Sequence, residues 1–293
     1  MRFFLAIFFA AMLWPSSLQA RETVYVAGLA SNIEQYEKMV AEKGGNPFEI
    51  KTYNSPYASR PALALLIMQQ ALKLGGMDAQ MIFATYPNYS RCITELKKGK
   101  ATILASDIWE EQFDETVYKT IPFIRKGEFV KGIYTYCSPK LLKSRPTLNS
   151  LLKLRPITGL SWTIDQHVFH QMGYKNIEIA PTYPLLFKML TRKRADYTLL
   201  EFPQDISHQF IDNNNLRLVE GVKVVFPYSR HFMVSKKHPE GAKVFKALQK
   251  GLKIMRKNGD IDRALHQTRI INEQVKNWKI LWPKQDIKDI SAQ

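Results

Sequence analysis

The chain has 293 residues and a formal net charge of +16, from 42 Lys and Arg against 26 Asp and Glu. That length can bury a large core, as one large domain or as two lobes. Two cysteines cannot make a zinc framework on their own. The positive charge is spread in small groups, such as residues 97–98, 192–194 and 236–237, with no polybasic tract interleaved with aromatics, which argues against nucleic acid as a partner. Two readings of the charge stay open: a solvated basic surface, or attraction to an anionic ligand or an anionic membrane surface.

Residues 1–20 read as a secretory signal peptide. A positive Met1-Arg2 start, an apolar run over 3–14 (FFLAIFFAAMLW) and a polar, turn-prone end closing on Ala20 follow one another in the required order. The run is too short for a permanent bilayer span. Leu18 is large for its place two before Ala20, so an uncleaved anchor is the alternative. No Cys follows the run to take a lipid, and no later stretch is long and apolar enough to be a second membrane segment. The expected location is the bacterial periplasm. An oxidising compartment allows a Cys92–Cys137 disulfide; two separate buried thiols are the other reading.

The folded part opens with a β-rich run, TVYVAG, over 23–28. A helix is expected over 30–43, stopped by Gly44-Gly45, then an alternating strand over 48–53 (FEIKTY). The clearest element follows. Ser59 is a candidate N-cap, Pro61 suits the first turn, and Leu63, Leu66, Ile67, Gln70, Ala71 and Leu74 repeat at helical spacing up to Gly75-Gly76. Strand 79–84, a loop through Tyr86 and Asn88, a short helix over 91–98 and strand 101–105 complete a β-α-β-α-β succession, the order that builds a parallel sheet with helices on its faces.

Residues 107–128 read as irregular and polar, and 129–136 (FVKGIYTY) as a long extended segment. A second α/β unit then begins. Strand 157–160 leads through Ser161-Trp162-Thr163 to a helix over 164–172. Strand 177–180, a cap at Thr182, a helix over 183–193 and strand 197–201 follow. After a polar stretch, 222–225 and 231–235 return as strands. Pro239 opens a helix to about Lys257, Asn258-Gly259 ends it, and Asp260 is read as the cap of another. The two halves echo one another, and loops after their strands would face a shared cleft, where open α/β sheets bind ligands.

In this order the segments resemble the bacterial extracellular solute-binding proteins of the amino-acid-binding type. The resemblance is carried by TVYVAG, by YPNYSRCITELKKGKATILAS, by VYKTIPFIRKGEFVKGIYTY, by ITGLSWT with LLFKMLTRKRADYTLLEF, and by AKVFKALQKGLKIMRKNGDIDRAL. It implies a two-lobed, type II periplasmic-binding α/β fold, each lobe a mostly parallel sheet flanked by helices. The first lobe would be discontinuous, 21–130 plus 228–293, the second 131–227, with two crossing strands as the hinge. One place departs from the family. Amino-acid binders carry an Arg after the third strand that clamps an α-carboxylate, whereas residues 106–111 here read Ser-Asp-Ile-Trp-Glu-Glu.

Candidate ligand-binding residues follow from these loops. Trp162 and Thr163 precede a helix whose free N–H groups could cradle an anion. Trp162 could stack a ring, or simply fill a core, and Thr163 could simply cap. Tyr86, Asn88 and Arg91 sit at a strand-to-helix loop; Arg91 could clamp a carboxylate or pair with Glu95 one turn on. Arg60 at the strong helix start is weighed the same way. Ser106 and Asp107 are expected just after the third strand, Glu201 after the last strand of the second lobe, and Tyr183 near a helix start. Asp165, His167 and His170 could suggest a metal, but no further ligand motif accompanies them.

The expected function is capture of a small polar solute between two lobes by a monomer, with no cofactor, for delivery to a membrane permease of an ABC-type system. One alternative is a sensing subunit that docks on a membrane sensor protein. The other is an enzyme of dehydratase or hydrolase type on the same fold; no nucleophile elbow, zinc motif or phosphate loop speaks for it.

Overall fold

The computed structural model describes residues 21–136, 139–142, 145–206, 210–211 and 216–283. The expected signal segment and Cys137 lie outside these. Cys92 is a buried free thiol, and burial pushes it up to about 11.

Two sheets organise the chain. The first has strand order β2-β1-β3-β12-β4, built from β1 Glu22–Gly28, β2 Ala79–Thr85, β3 Ile103–Trp109, β4 Val117–Ile124 and β12 Arg230–Ser235. β1 runs parallel to β2 and β3, while β12 is antiparallel to β3 and β4. The second has the order β13-β11-β5-β8-β6-β7. Its strands are β5 Phe129–Thr135, β6 Pro156–Gly159, β7 Glu178–Ala180, β8 Tyr197–Leu200, β11 Val222–Phe226 and β13 Lys279–Trp282, with the short β9 Phe210–Ile211 and β10 Leu216–Leu218 on its flank. The chain passes from the first sheet to the second at 125–128, returns at 227–229, and sends β13 back to pair with β11. This is the two-lobed α/β architecture expected from the sequence.

Helices α1 Ala30–Glu42, α2 Arg60–Leu74, α3 Tyr89–Lys97, α8 Gly241–Lys257 and α9 Asp260–Gln267 accompany the first sheet. Helices α6 Thr163–Met172 and α7 Tyr183–Thr191 accompany the second, with the short turns α4 Pro139–Leu142 and α5 Leu148–Leu151. α2 is apolar nearly all round, from Ala62 through Met68 to Leu72, because β3 lies under it and α1 and α8 cover its sides. Where α8 crosses α2 the backbones touch. A Cβ on Gly251 would lie 1.7 Å from the Ala71 carbonyl oxygen, and one on Gly75 would lie 1.9 Å from that of Ala247. Only glycine permits this approach.

Ser59 caps α2 as expected, its Oγ accepting from the Ala62 N–H at 3.4 Å. Ser59→Ala is expected to lower stability by about 1 kcal/mol. In urea unfolding the midpoint should fall with an unchanged slope.

Four expectations are corrected. Residues 48–53 form no strand. Ile50 and Tyr53 are buried as the alternation implied, but no sheet edge is beside them, and side chains satisfy the backbone instead. Gln70 Nε2 donates to the carbonyls of Pro47 (2.7 Å) and Ile50 (2.9 Å), and the Tyr53 N–H donates to Gln267 Oε1 at 2.9 Å. Second, β3 runs on to Trp109, so Ser106 and Asp107 lie within the strand and not after it. Antiparallel pairing with β12 extends it past the polar residues that looked like its end. Third, residues 107–128 are not irregular, because β4 forms within them as the other partner of β12. Fourth, Gly259, at φ 74°, precedes α9, and Asp260 is its first helical residue; the left-handed turn leaves the capping place to glycine.

Candidate functional site

The site is built around Asp107. Alternation along β3 and β12 puts Asp107 and Trp109 on one face, and the register sets Arg230 opposite Trp109. Arg230 is therefore diagonal to Asp107. Its Nε donates to Asp107 Oδ2 and its Nη2 to the Asp107 carbonyl oxygen at 2.8 Å. Its guanidinium carbon lies 4.1 Å from the centre of the Trp109 ring. Arg60, at the first turn of α2, donates from Nη1 to Asp107 Oδ1 at 2.5 Å. The Ser106 hydroxyl is 3.2 Å from the same oxygen. One fully buried carboxylate thus joins two nearly buried guanidiniums.

Burial alone would push the Asp107 carboxyl up. The guanidiniums of Arg230 and Arg60 together outweigh it, and the group is held below the usual carboxylate range.

The second lobe contributes Glu201, directly after β8. Its Oε1 accepts from Arg60 Nε at 3.2 Å, and its side chain is 44% exposed. This pair bridges the two sheets' halves. Glu201 is the acidic member that solvent still reaches. The Tyr134 hydroxyl donates to the Glu201 carbonyl oxygen at 3.2 Å. Gln204, a few residues on, donates to the Ser55 carbonyl at 3.0 Å, a further contact from one half to the other.

Beside this lies a second buried pair. Lys131 of β5 donates to Asp165 Oδ1 at 2.5 Å, and its ammonium stands 5.2 Å from the Trp162 ring and 5.0 Å from that of Phe226. Burial pushes the Asp165 carboxyl up despite the nearby ammonium. The Trp162 ring covers Gly159, where a Cβ would meet it at 3.0 Å, and lies 5.9 Å from the half-exposed ring of Tyr183.

The structure therefore brings Arg60, Ser106, Asp107 and Glu201 together, with Trp162 and Tyr183 on the second lobe's side. It brings in the 86–91 segment only through Tyr89, whose hydroxyl meets Ser106 near Arg60 and Asp107; Tyr86, Asn88 and Arg91 stay out. Asn88 caps α3, accepting from the Arg91 N–H at 2.9 Å, and the Arg91 guanidinium pairs with Glu95 at 3.0 Å. Tyr86 packs in the small core around Cys92. Thr163 begins α6 without a side-chain capping bond. Asp165, His167 and His170 do not converge, since His167 faces Gln171 and His170 faces the Tyr174 carbonyl.

Sequence reasoning missed Arg230, Lys131 and Trp109. The available signal was one cation inside each of two apolar strands, which in a buried strand calls for a buried partner.

The architecture is that of the two-lobed, type II periplasmic-binding fold. No protein-family model matches the sequence, and no curated protein is significantly similar to it. Solved structures do match. An ancestral arginine-binding protein bound to arginine aligns with 84% of this chain and 97% of its own, at TM-score 0.51 and 17% identity. The probable amino-acid ABC transporter extracellular-binding protein ytmK of Bacillus subtilis aligns over 84% and 96%, at TM-score 0.54 and 14% identity. The periplasmic VFT2 domain of Bordetella pertussis BvgS aligns over 88% and 93%, at TM-score 0.52 and 15% identity. At such identities the likeness concerns the fold.

Proposed function

We propose that this chain is an exported, monomeric, non-enzymatic solute-binding protein of the periplasm. It captures a small polar ligand between its lobes and delivers it to a membrane permease. The observation that carries this reading is the convergence of charged side chains from both halves at one place. Arg60 on one side and the half-exposed Glu201 on the other satisfy each other at 3.2 Å above the buried Asp107–Arg230 pair. A polar solute could exchange with that outer pair while the inner one stays fixed. The fold likeness to an arginine-binding protein and to a probable ABC-transporter binding protein supports the same reading.

The test is a thermal-shift screen against small polar metabolites. A true ligand at about a hundred times its Kd stabilises by about 2.7 kcal/mol, which is on the order of 5–10 °C for a chain of this size. Small-angle scattering should show lobe closure, and mass spectrometry should recover the solute chemically unchanged. Glu201→Gln should abolish the shift while leaving the unliganded melting point nearly in place, because that side chain is half exposed. No stabilisation by any metabolite, or a solute returned as product, would overturn the proposal. The likeness to the BvgS periplasmic domain supports a second reading, in which the liganded protein docks on a membrane sensor. Copurification with a receptor in place of a permease would favour it.

A further inference from the structure

We propose that the outer face of α8 is a docking surface for an anionic phospholipid membrane. Lys243, Lys246, Lys250, Lys253 and Lys257 alternate by three and four positions, so they share one helical face, and all five are exposed. The opposite face, with Val244, Leu248, Gly251 and Leu252, is buried against the first lobe. The 17-residue helix contains no acidic residue. It spans about 25 Å. Its one other cation, Arg256, turns inward to Asp262 and to the carbonyls of Pro122 and Phe123. Of the five lysines only Lys243 has an ion-pair partner among the described residues, Glu22 at 2.8 Å.

Like charges at such spacing repel and weaken a helix. A surface needed only for solubility intersperses both signs. Among the described residues only Glu22 pairs with the stripe, at Lys243, so the counter-charge of the other four lysines comes from outside the chain. The stripe carries lysines, which are compact hydrated point charges without the bidentate fork of arginine. None of the large exposed apolar side chains lies on α8, so it lacks the aromatic or apolar anchor on which protein partners concentrate binding. A flat, multivalent anionic sheet suits these features better than a protein pocket does. The place also fits. β1 begins at Glu22, so the chain enters the fold beside Lys243, and the apolar run over 3–14 precedes that point. Where the run is retained as an anchor, a basic patch and one apolar segment together make the two signals that firm membrane association needs.

The test is vesicle flotation of the full chain with equal parts phosphatidylethanolamine and phosphatidylglycerol, against pure phosphatidylcholine. The readout is the ratio of the two partition coefficients, in which any binding by the apolar run cancels. The ratio should be large at low salt and collapse in high salt. Each lysine near such a surface contributes roughly a factor of five. A variant with Lys246, Lys250, Lys253 and Lys257 changed to Gln should therefore lose several hundredfold of the ratio while melting as the parent does. A variant with equal charge removed from the second lobe, Lys175, Lys188, Lys193 and Arg194 changed to Gln, should keep it. Equal ratios for the two variants, or no preference for anionic vesicles, would overturn the proposal; the latter would point to an acidic protein as the partner.

Discussion

Asp107→Asn is expected to lower stability by about 3–5 kcal/mol, the loss that follows when one partner is removed from a buried charge network. The carboxylate is fully buried and touches two guanidiniums. Arg60 retains Glu201 at the solvent edge, but Arg230 loses its one carboxylate partner and keeps the uncharged backbone carbonyl of residue 107 and the Trp109 and Phe129 rings. A melting point lower by on the order of 10 °C should result. Adding Arg230→Met should recover part of the loss by removing the stranded charge. The acid limb carries the same signature. The Asp107 carboxyl in the folded chain lies below its ordinary value. Its contribution is complete above the unfolded-state carboxyl value, about 3.9, and fades as pH falls through the lower folded value. Stability of the Asn variant should therefore depend less on pH in that range than the parent's does. If Asp107→Asn melts within a degree of the parent, the central role given to this carboxylate is wrong.

Gly251→Ala is the second large effect, and its sign is diagnostic. In an exposed helix interior that change stabilises by about 1 kcal/mol. Here the new Cβ would stand 1.7 Å from the Ala71 carbonyl oxygen and 2.5 Å from its carbon. Both are backbone atoms of α2, which cannot rotate aside, so the two helices must separate. Overpacking of this kind costs about 1–3 kcal/mol after any propensity gain, and occasionally more. Chemical denaturation should show a net loss of about 2–3 kcal/mol, against a change within about 0.5 kcal/mol for the exposed neighbour Lys250→Ala. Stabilisation by Gly251→Ala would show that α8 does not seat on α2 this closely.

The order of strands and helices was legible because local signals agreed with tertiary demands. Ser59, Pro61 and the apolar repeat of α2 name a helix before any partner is known, and Thr182 caps α7 where expected. What escaped was set by partners distant in sequence. Polar residues in 106–109 read as a strand's end, yet β12 pairs with them and turns them into the middle of a sheet. The alternation over 48–53 was real as burial and empty as strand, since Gln70 and Gln267 occupy the backbone groups a neighbour would have taken. Arg60 and Glu201 could be named singly from their places at element ends, and Asp107 from a strand end that the structure moves on to Trp109. That Asp107 is already held by Arg230, and that Arg91 is held by Glu95, depends on register and on a helical turn that a list of residues does not display.

The crossing of α8 over α2 has a consequence for how the chain matures. An apolar helix made early waits for a cover made last, and the Tyr53 N–H finds Gln267 across 214 positions. The second sheet is likewise finished by β13, near the end of the described chain. Contacts of such long range slow the search for the native state. Neither the packing of α2 under α8 nor the second sheet can be completed before the last described segments join the fold.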